Sequence, residues 1–182
     1  CAFYEPASLQ ALYSDANLII SGSVNPVGKA TKVPGGYKVS GQWPFVSGIH
    51  NAAYFWCQSI VQESGKPLKD ARGYVFCESL IPVRELEIID TWQVSGMRAS
   101  GSHDALVKEV FVEDKFVCRM QTQTPTAPGP LYQMPIYSRL AYNKVGVATG
   151  ITMKAIKSFV ELATQKKPRG SAQNWPALFP IS

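Results

Sequence analysis

Apolar and polar positions alternate in short runs through residues 18–120, and Gly, Pro, Asn and Asp repeatedly break the runs. A period of two predicts strands, and the breakers predict the turns between them. Leu18-Ile19-Ile20 opens the series and leads into Ser21-Gly22-Ser23, read as a turn. Further strands are expected at 37–40, 53–61, 73–78, 86–90 and 105–112, with Gly35-Gly36 as a hairpin signal ahead of the first. Short strands at this spacing predict a β-barrel or sandwich. The pattern changes at both ends. Residues 5–13 read as a short helix with Pro6 in its first turn, where a missing N–H is harmless. Beyond a Pro/Thr/Gly-rich stretch at 121–130, Val145, Ala148, Ile151, Ala155, Phe159 and Leu162 fall on one face of a helix. Gly146, Ala148, Gly150 and Ala155 would admit a second helix at close range, and the apolar face needs a cover from further helices or a second subunit. No internal repeat or low-complexity tract is visible.

Composition narrows the class. The chain has 182 residues, 46% apolar and 17% charged, enough to bury a core. Its net charge of +5 is scattered, with one looser cluster at Lys154, Lys157, Lys166, Lys167 and Arg169. A continuous basic stripe is missing, so a nucleic-acid partner is not expected, and the cluster reads as a solvated helix face and end. No apolar run is long enough to span a bilayer, and no signal-peptide pattern is present. Cys1, Cys57, Cys77 and Cys118 form no C-x-x-C pair and no zinc spacing with histidine, so no metal is expected. Cys57 and Cys77 sit in apolar runs and read as small core residues in a reduced, cytoplasmic setting. Both ends look cut from a longer polypeptide: the first residue is Cys1, not Met, and the last helix lacks partners.

The chemistry must come from unusual places. There is no dinucleotide-binding glycine fingerprint, no phosphate-binding loop and no nucleophile elbow. His50 and His103 lie far apart in sequence, and each alone reads as a loop histidine. Two blocks stand out. In the first, Trp43-Pro44-Phe45-Val46-Ser47-Gly48 follows the 37–41 strand, and Pro44 must break its ladder. An irregular strand end exposing Ser47 and a ring is expected. The second runs from Asp90-Thr91-Trp92 to Gly96-Met97-Arg98-Ala99-Ser100-Gly101-Ser102-His103-Asp104. Each block is either a core aromatic corner with turn serines or one wall for a flat, polar-edged aromatic cofactor.

The block Gly35-Gly36-Tyr37-Lys38-Val39-Ser40-Gly41, continued by Trp43, Phe45 and Ser47-Gly48, resembles the middle domain of the acyl-CoA dehydrogenase superfamily. It is most similar to the oxygenase component of two-component flavin-dependent monooxygenases, the p-hydroxyphenylacetate hydroxylase-like branch. Ser21-Gly22-Ser23 through Lys29-Ala30 resembles the same branch, and the acidic, glycine-rich segment of the dehydrogenase branch is missing. The second block, followed by Val110-Phe111-Val112, resembles the superfamily's later barrel strands. The resemblance covers nearly the whole chain.

It implies an α+β fold: the end of an N-terminal helical domain (1–16), a middle β-barrel flavin-binding domain (17–120), a linker (121–137) and the start of a C-terminal helical bundle (138–182). It implies a monooxygenase that hydroxylates a phenolic or related aromatic substrate through a flavin C4a-hydroperoxide. Dioxygen, a separate flavin reductase supplying reduced FMN or FAD, and a homotetramer are implied with it. Ser47 takes the place of the hydroxyl near flavin N5, Phe45 that of a ring against the flavin, and Val46 offers backbone groups to the same edge. Ser21 is implied at the pyrimidine side, with Trp92, Arg98, Ser100 and Ser102 toward the phosphate and ring region. For Arg98 a structural role in the turn, and for Trp43 a core role, stand beside the cofactor roles. The family's C-terminal histidine, and the carboxylate base of the dehydrogenases, have no counterpart here, so these residues alone are expected to be an incomplete catalyst. Two other functions remain open: an acyl-CoA dehydrogenase or nitroalkane-oxidase-like flavoprotein, and a non-catalytic β-barrel module for subunit assembly.

Overall fold

A computed structural model describes residues 2–167 and 169–170. It divides into two units, Cys1–Gln133 and Met134–Ser182. The first holds α1 (Pro6–Tyr13), the strands β1 (Ile20–Val33), β2 (Gly36–Val46), β3 (Tyr54–Glu63), β4 (Lys66–Pro67), β5 (Lys69–Asp70), β6 (Gly73–Tyr74), β7 (Phe76–Pro82), β8 (Glu87–Ile89), β9 (His103–Glu113) and β10 (Val117–Cys118), and a short α2 (Pro130–Gln133). The sheet runs β10-β7-β3-β1-β2-β9-β8, with β4 added to β3 and a separate β5–β6 ribbon. Only the β1–β3 pairing is parallel among the described ladders. The first unit is therefore mixed α+β with one large sheet.

Alternation along the strands creates two cores. On β3, Phe55, Cys57 and Val61 enter one core with Val39, Trp43 and Val46 of β2 and Ala105, Val107 and Val112 of β9. Ile88 of β8 and Val117 of β10, from opposite ends of the sheet path, pack on the same cluster, so the sheet is curled around it. The other face of β3 and β7 offers Trp56, Tyr54 and Leu80 to a second cluster. Phe3, Tyr4 and Leu12 of the N-terminal segment and α1 cover that face.

Several local expectations change. Ser21-Gly22-Ser23 is not a turn but the start of the long strand β1, paired in parallel with β3 at Gly22 and Trp56. A Cβ on Gly22 would sit 2.9 Å from the Trp56 carbonyl, so this glycine serves close approach between strands. The expected 73–78 strand splits: Gly73 and Tyr74 join the ribbon, and β7 begins at Phe76. Residues 121–130 are tied down: Gln123 Nε2 donates to the Phe3 carbonyl at 2.8 Å, and the Thr126 amide to that of Ala2 at 2.6 Å.

In the second unit, α3 (Ile136–Gln165) is a thirty-residue helix on which Val145, Ile151, Phe159 and Leu162 are exposed. The expected C-terminal helical domain extends to residue 182, and residues 171–182 lie outside the described ones. No described helix is long and apolar enough to cross a membrane.

Candidate functional site

The site begins at an irregularity in β2. Its register against β9 slips between Trp43 and Val46, where Pro44 has no N–H to donate. Phe45 takes a left-handed backbone, φ 61°, which costs a non-glycine residue roughly 1–2 kcal/mol. The slip turns Phe45 the other way from its neighbours: Trp43 and Val46 are fully buried, and the Phe45 ring is 64% exposed. Trp43 is thus a core residue, donating from Nε1 to the Gln58 carbonyl at 2.8 Å and packing edge-on against Phe55. Two serines of β1 hold the irregular segment by its backbone. Ser23 Oγ donates to the Pro44 carbonyl at 3.1 Å, and Ser21 Oγ to that of Ser47 at 2.5 Å.

A second segment meets it. Trp92 stands edge-to-face with Phe45, ring centroids 6.2 Å apart, and its indole N–H donates to the Met97 carbonyl at 3.1 Å. Left-handed residues at Met97 and Gly101 bracket the 3₁₀ turn Arg98–Ser100. The Gly48 amide donates to the Ser100 carbonyl at 2.7 Å, joining the two segments. Side chains join them again: Ser102 Oγ lies 2.7 Å from Ser47 Oγ and 2.7 Å from Ser100 Oγ.

Ser21, Phe45, Val46, Ser47, Trp92, Ser100 and Ser102 therefore converge from three separate stretches of chain. Their parts differ. Phe45 and Ser47 are exposed, and Trp92 is half-buried. Ser21 and Ser102 are buried and bonded internally, so they act on the frame around Ser47. The Val46 side chain is in the core, and its backbone stands opposite His103 in the ladder. Arg98 is exposed, and its carbonyl accepts the Gly101 amide that closes the turn.

Sequence reasoning missed one cluster. His50 and His103, read as separate loop residues, meet with ring centroids 5.0 Å apart. His103 Nδ1 lies 3.1 Å from Asp90 Oδ1 and 3.4 Å from the Trp92 amide. A signal existed: each histidine follows a serine of the two blocks within a few residues, so blocks that meet bring the histidines together.

Other reactive groups are set aside by their surroundings. Burial, then the nearby Glu78 carboxylate, pushes the Cys77 thiol up to about 12, and burial raises Cys57 and Cys118 as well. These thiols stay protonated and are not nucleophiles. No group of three metal-ligating side chains occurs among the described residues. A cavity of about 290 Å³, lined by Tyr54, Leu80, Arg84, Phe111 and Phe116 among others, shares no lining residue with the serine cluster.

The exposed face joins two aromatic rings and a neutral hydroxyl, those of Phe45, Trp92 and Ser47. Rings for the apolar faces and a hydroxyl for the polar edge fit an isoalloxazine ring.

No protein-family model matches the chain. Among curated proteins it is similar to the flavin-dependent monooxygenase oxygenase subunit HsaA of Rhodococcus jostii, 34% identical over 140 residues. The match takes in 73% of this chain and 35% of that protein. The oxygenase component of an FADH2-dependent resorcinol hydroxylase from Rhizobium is 27% identical over 179 residues, covering 93% of this chain and 42% of its own. Among solved structures, XiaF from Streptomyces, in complex with FADH2 and glycerol, superposes with a TM-score of 0.73 at 26% identity. That superposition covers 94% of this chain and 44% of XiaF. The chain thus spans less than half the length of these relatives.

Proposed function

We propose that this chain is part of the oxygenase component of a flavin-dependent monooxygenase, one that hydroxylates a phenolic or related aromatic substrate with reduced flavin from a separate reductase. The observation that carries the reading is the exposed Phe45 ring beside Trp92 and the Ser47 hydroxyl, formed by a strained backbone. Strain of this kind persists only where the surrounding structure holds it, and it clusters at functional sites. The likeness to oxygenase components supports it. The curled sheet is then the middle β-domain of an acyl-CoA dehydrogenase-like fold, and α3 the start of a helical bundle that assembles into a homo-oligomer, a tetramer by the resemblance.

Reduced flavin, when bound, supplies the electrons that split dioxygen, one oxygen atom entering the substrate and the other leaving as water. The residues here do the rest of one wall. Phe45 and Trp92 would cover ring surface and exclude water from it. Ser47 would meet the polar edge of the ring at N5, and Ser21, by holding the Ser47 carbonyl, would keep it placed. FMN and FAD share the ring these residues would meet. The free buried thiols of Cys57, Cys77 and Cys118 suit a reducing, cytoplasmic setting.

The test uses the complete polypeptide with reduced flavin, a reductase and ¹⁸O₂ over a panel of phenols. The expected result is a hydroxylated product carrying one ¹⁸O atom. Reduction of bound flavin by an acyl-CoA without any reductase would overturn the reading in favour of a dehydrogenase.

A further inference from the structure

We infer that Ser102 is a positioning residue that fixes which way the Ser47 hydroxyl points. The inference rests on the reading above, which places flavin N5 at Ser47. Ser102 is 4% exposed and lies 2.7 Å from both Ser47 Oγ and Ser100 Oγ. A serine hydroxyl has one proton to donate and lone pairs to accept with. In a chain of three such groups the directions are set together. If Ser100 donates to Ser102 and Ser102 to Ser47, the Ser47 proton points outward. If Ser47 donates to Ser102 and Ser102 to Ser100, Ser47 turns a lone pair outward. Reduced flavin carries an N–H at N5 and needs an acceptor, so the second direction is the one that fits. In that direction the Ser102 proton goes to Ser100, 2.7 Å away.

The local backbone does not depend on this chain of hydroxyls. The Ser47 carbonyl is held by Ser21 Oγ, and the Gly48 amide is bonded to the Ser100 carbonyl. Removing the Ser102 hydroxyl therefore frees the Ser47 rotor while its backbone stays in place. That separates positioning from a structural role.

The experiment binds reduced flavin, labelled with ¹⁵N at N5, to the complete polypeptide without oxygen and records the N5 resonance by NMR. Ser47→Ala is expected to move that resonance. Ser102→Ala should move it the same way, Ser102→Thr should restore the wild-type position, and the double variant should go no further than Ser47→Ala. Flavin Kd should change by no more than roughly fivefold, the worth of one neutral hydrogen bond. Ser100→Ala, at a half-buried position, keeps the test alive should Ser102→Ala not fold. It leaves the Ser102 proton only Ser47 to go to, reverses the chain, and should also shift the resonance. A wild-type resonance in Ser102→Ala or Ser100→Ala, with Ser47→Ala shifted, overturns the inference alone. An unshifted Ser47→Ala overturns the placement of N5 and the inference with it.

Discussion

The imidazoles of His50 and His103 meet edge to face, 5.0 Å between centroids. His103 is the better anchored, with its Nδ1 in reach of both the Asp90 carboxylate and the Trp92 amide. One nitrogen serves as donor to the first or acceptor from the second. Either bond ties the Trp92 segment to β9.

His103→Leu should therefore loosen Trp92. A loss of about 1–2 kcal/mol is expected from the missing bonds. Urea unfolding together with indole fluorescence would show it. Unchanged stability with unchanged fluorescence would remove the histidine from this role.

Phe45→Gly separates stability from function. Glycine accepts φ 61° without the steric cost, so flavin-free stability should hold or rise by about 1 kcal/mol. Flavin affinity should fall, because the exposed ring is lost. Thermal unfolding and flavin titration of the complete polypeptide check both halves. A large loss of stability would mean that the ring supports the fold.

Gly28→Ala should be a damaging small substitution in the sheet. Its Cβ would lie 1.9 Å from the Trp43 ring, which is fully buried and has no room to retreat. Overpacking of this kind costs about 1–3 kcal/mol or more. Denaturant unfolding measures it, and a neutral effect would show that Trp43 can shift.

Glu78 predicts a pH dependence. It is 1% exposed, accepts from Gln58 Nε2 and the Met120 amide at 2.8 Å each, and has its carboxyl raised chiefly by burial. The folded state thus holds this proton more tightly than the unfolded one. The stability it contributes is fully present below the unfolded pKa and is lost as pH rises through the raised folded value. Glu78→Gln cannot titrate, so that fall should be missing from its stability profile. Urea midpoints across the acid range test this, and identical profiles for the two proteins would exclude Glu78 as the cause.

Much of the fold was legible because burial on a sheet writes a period of two into the chain. The alternation at 53–61 and 105–112 matches β3 and β9 closely, and Pro6 marks the start of α1. Ser21-Gly22-Ser23 misled because serine and glycine signal turns locally, whereas here the glycine admits the Trp56 backbone of a parallel strand. That partner is more than thirty residues away, beyond any local signal.

For the site the division is similar. By itself the sequence determined which residues were available: aromatic rings next to hydroxyls and glycines, in two blocks, with a proline that had to interrupt a strand. Only the tertiary structure decided what each one does. The slip between β2 and β9 sends Phe45 outward and Trp43 inward, although both are aromatic and lie two residues apart. The packing of the two segments makes Ser47, Ser100 and Ser102 one hydrogen-bonded chain and brings His50 to His103. A serine's or a ring's role depends on what stands within bonding distance across the sheet, and that distance is set by long-range pairing, not by neighbours in the chain.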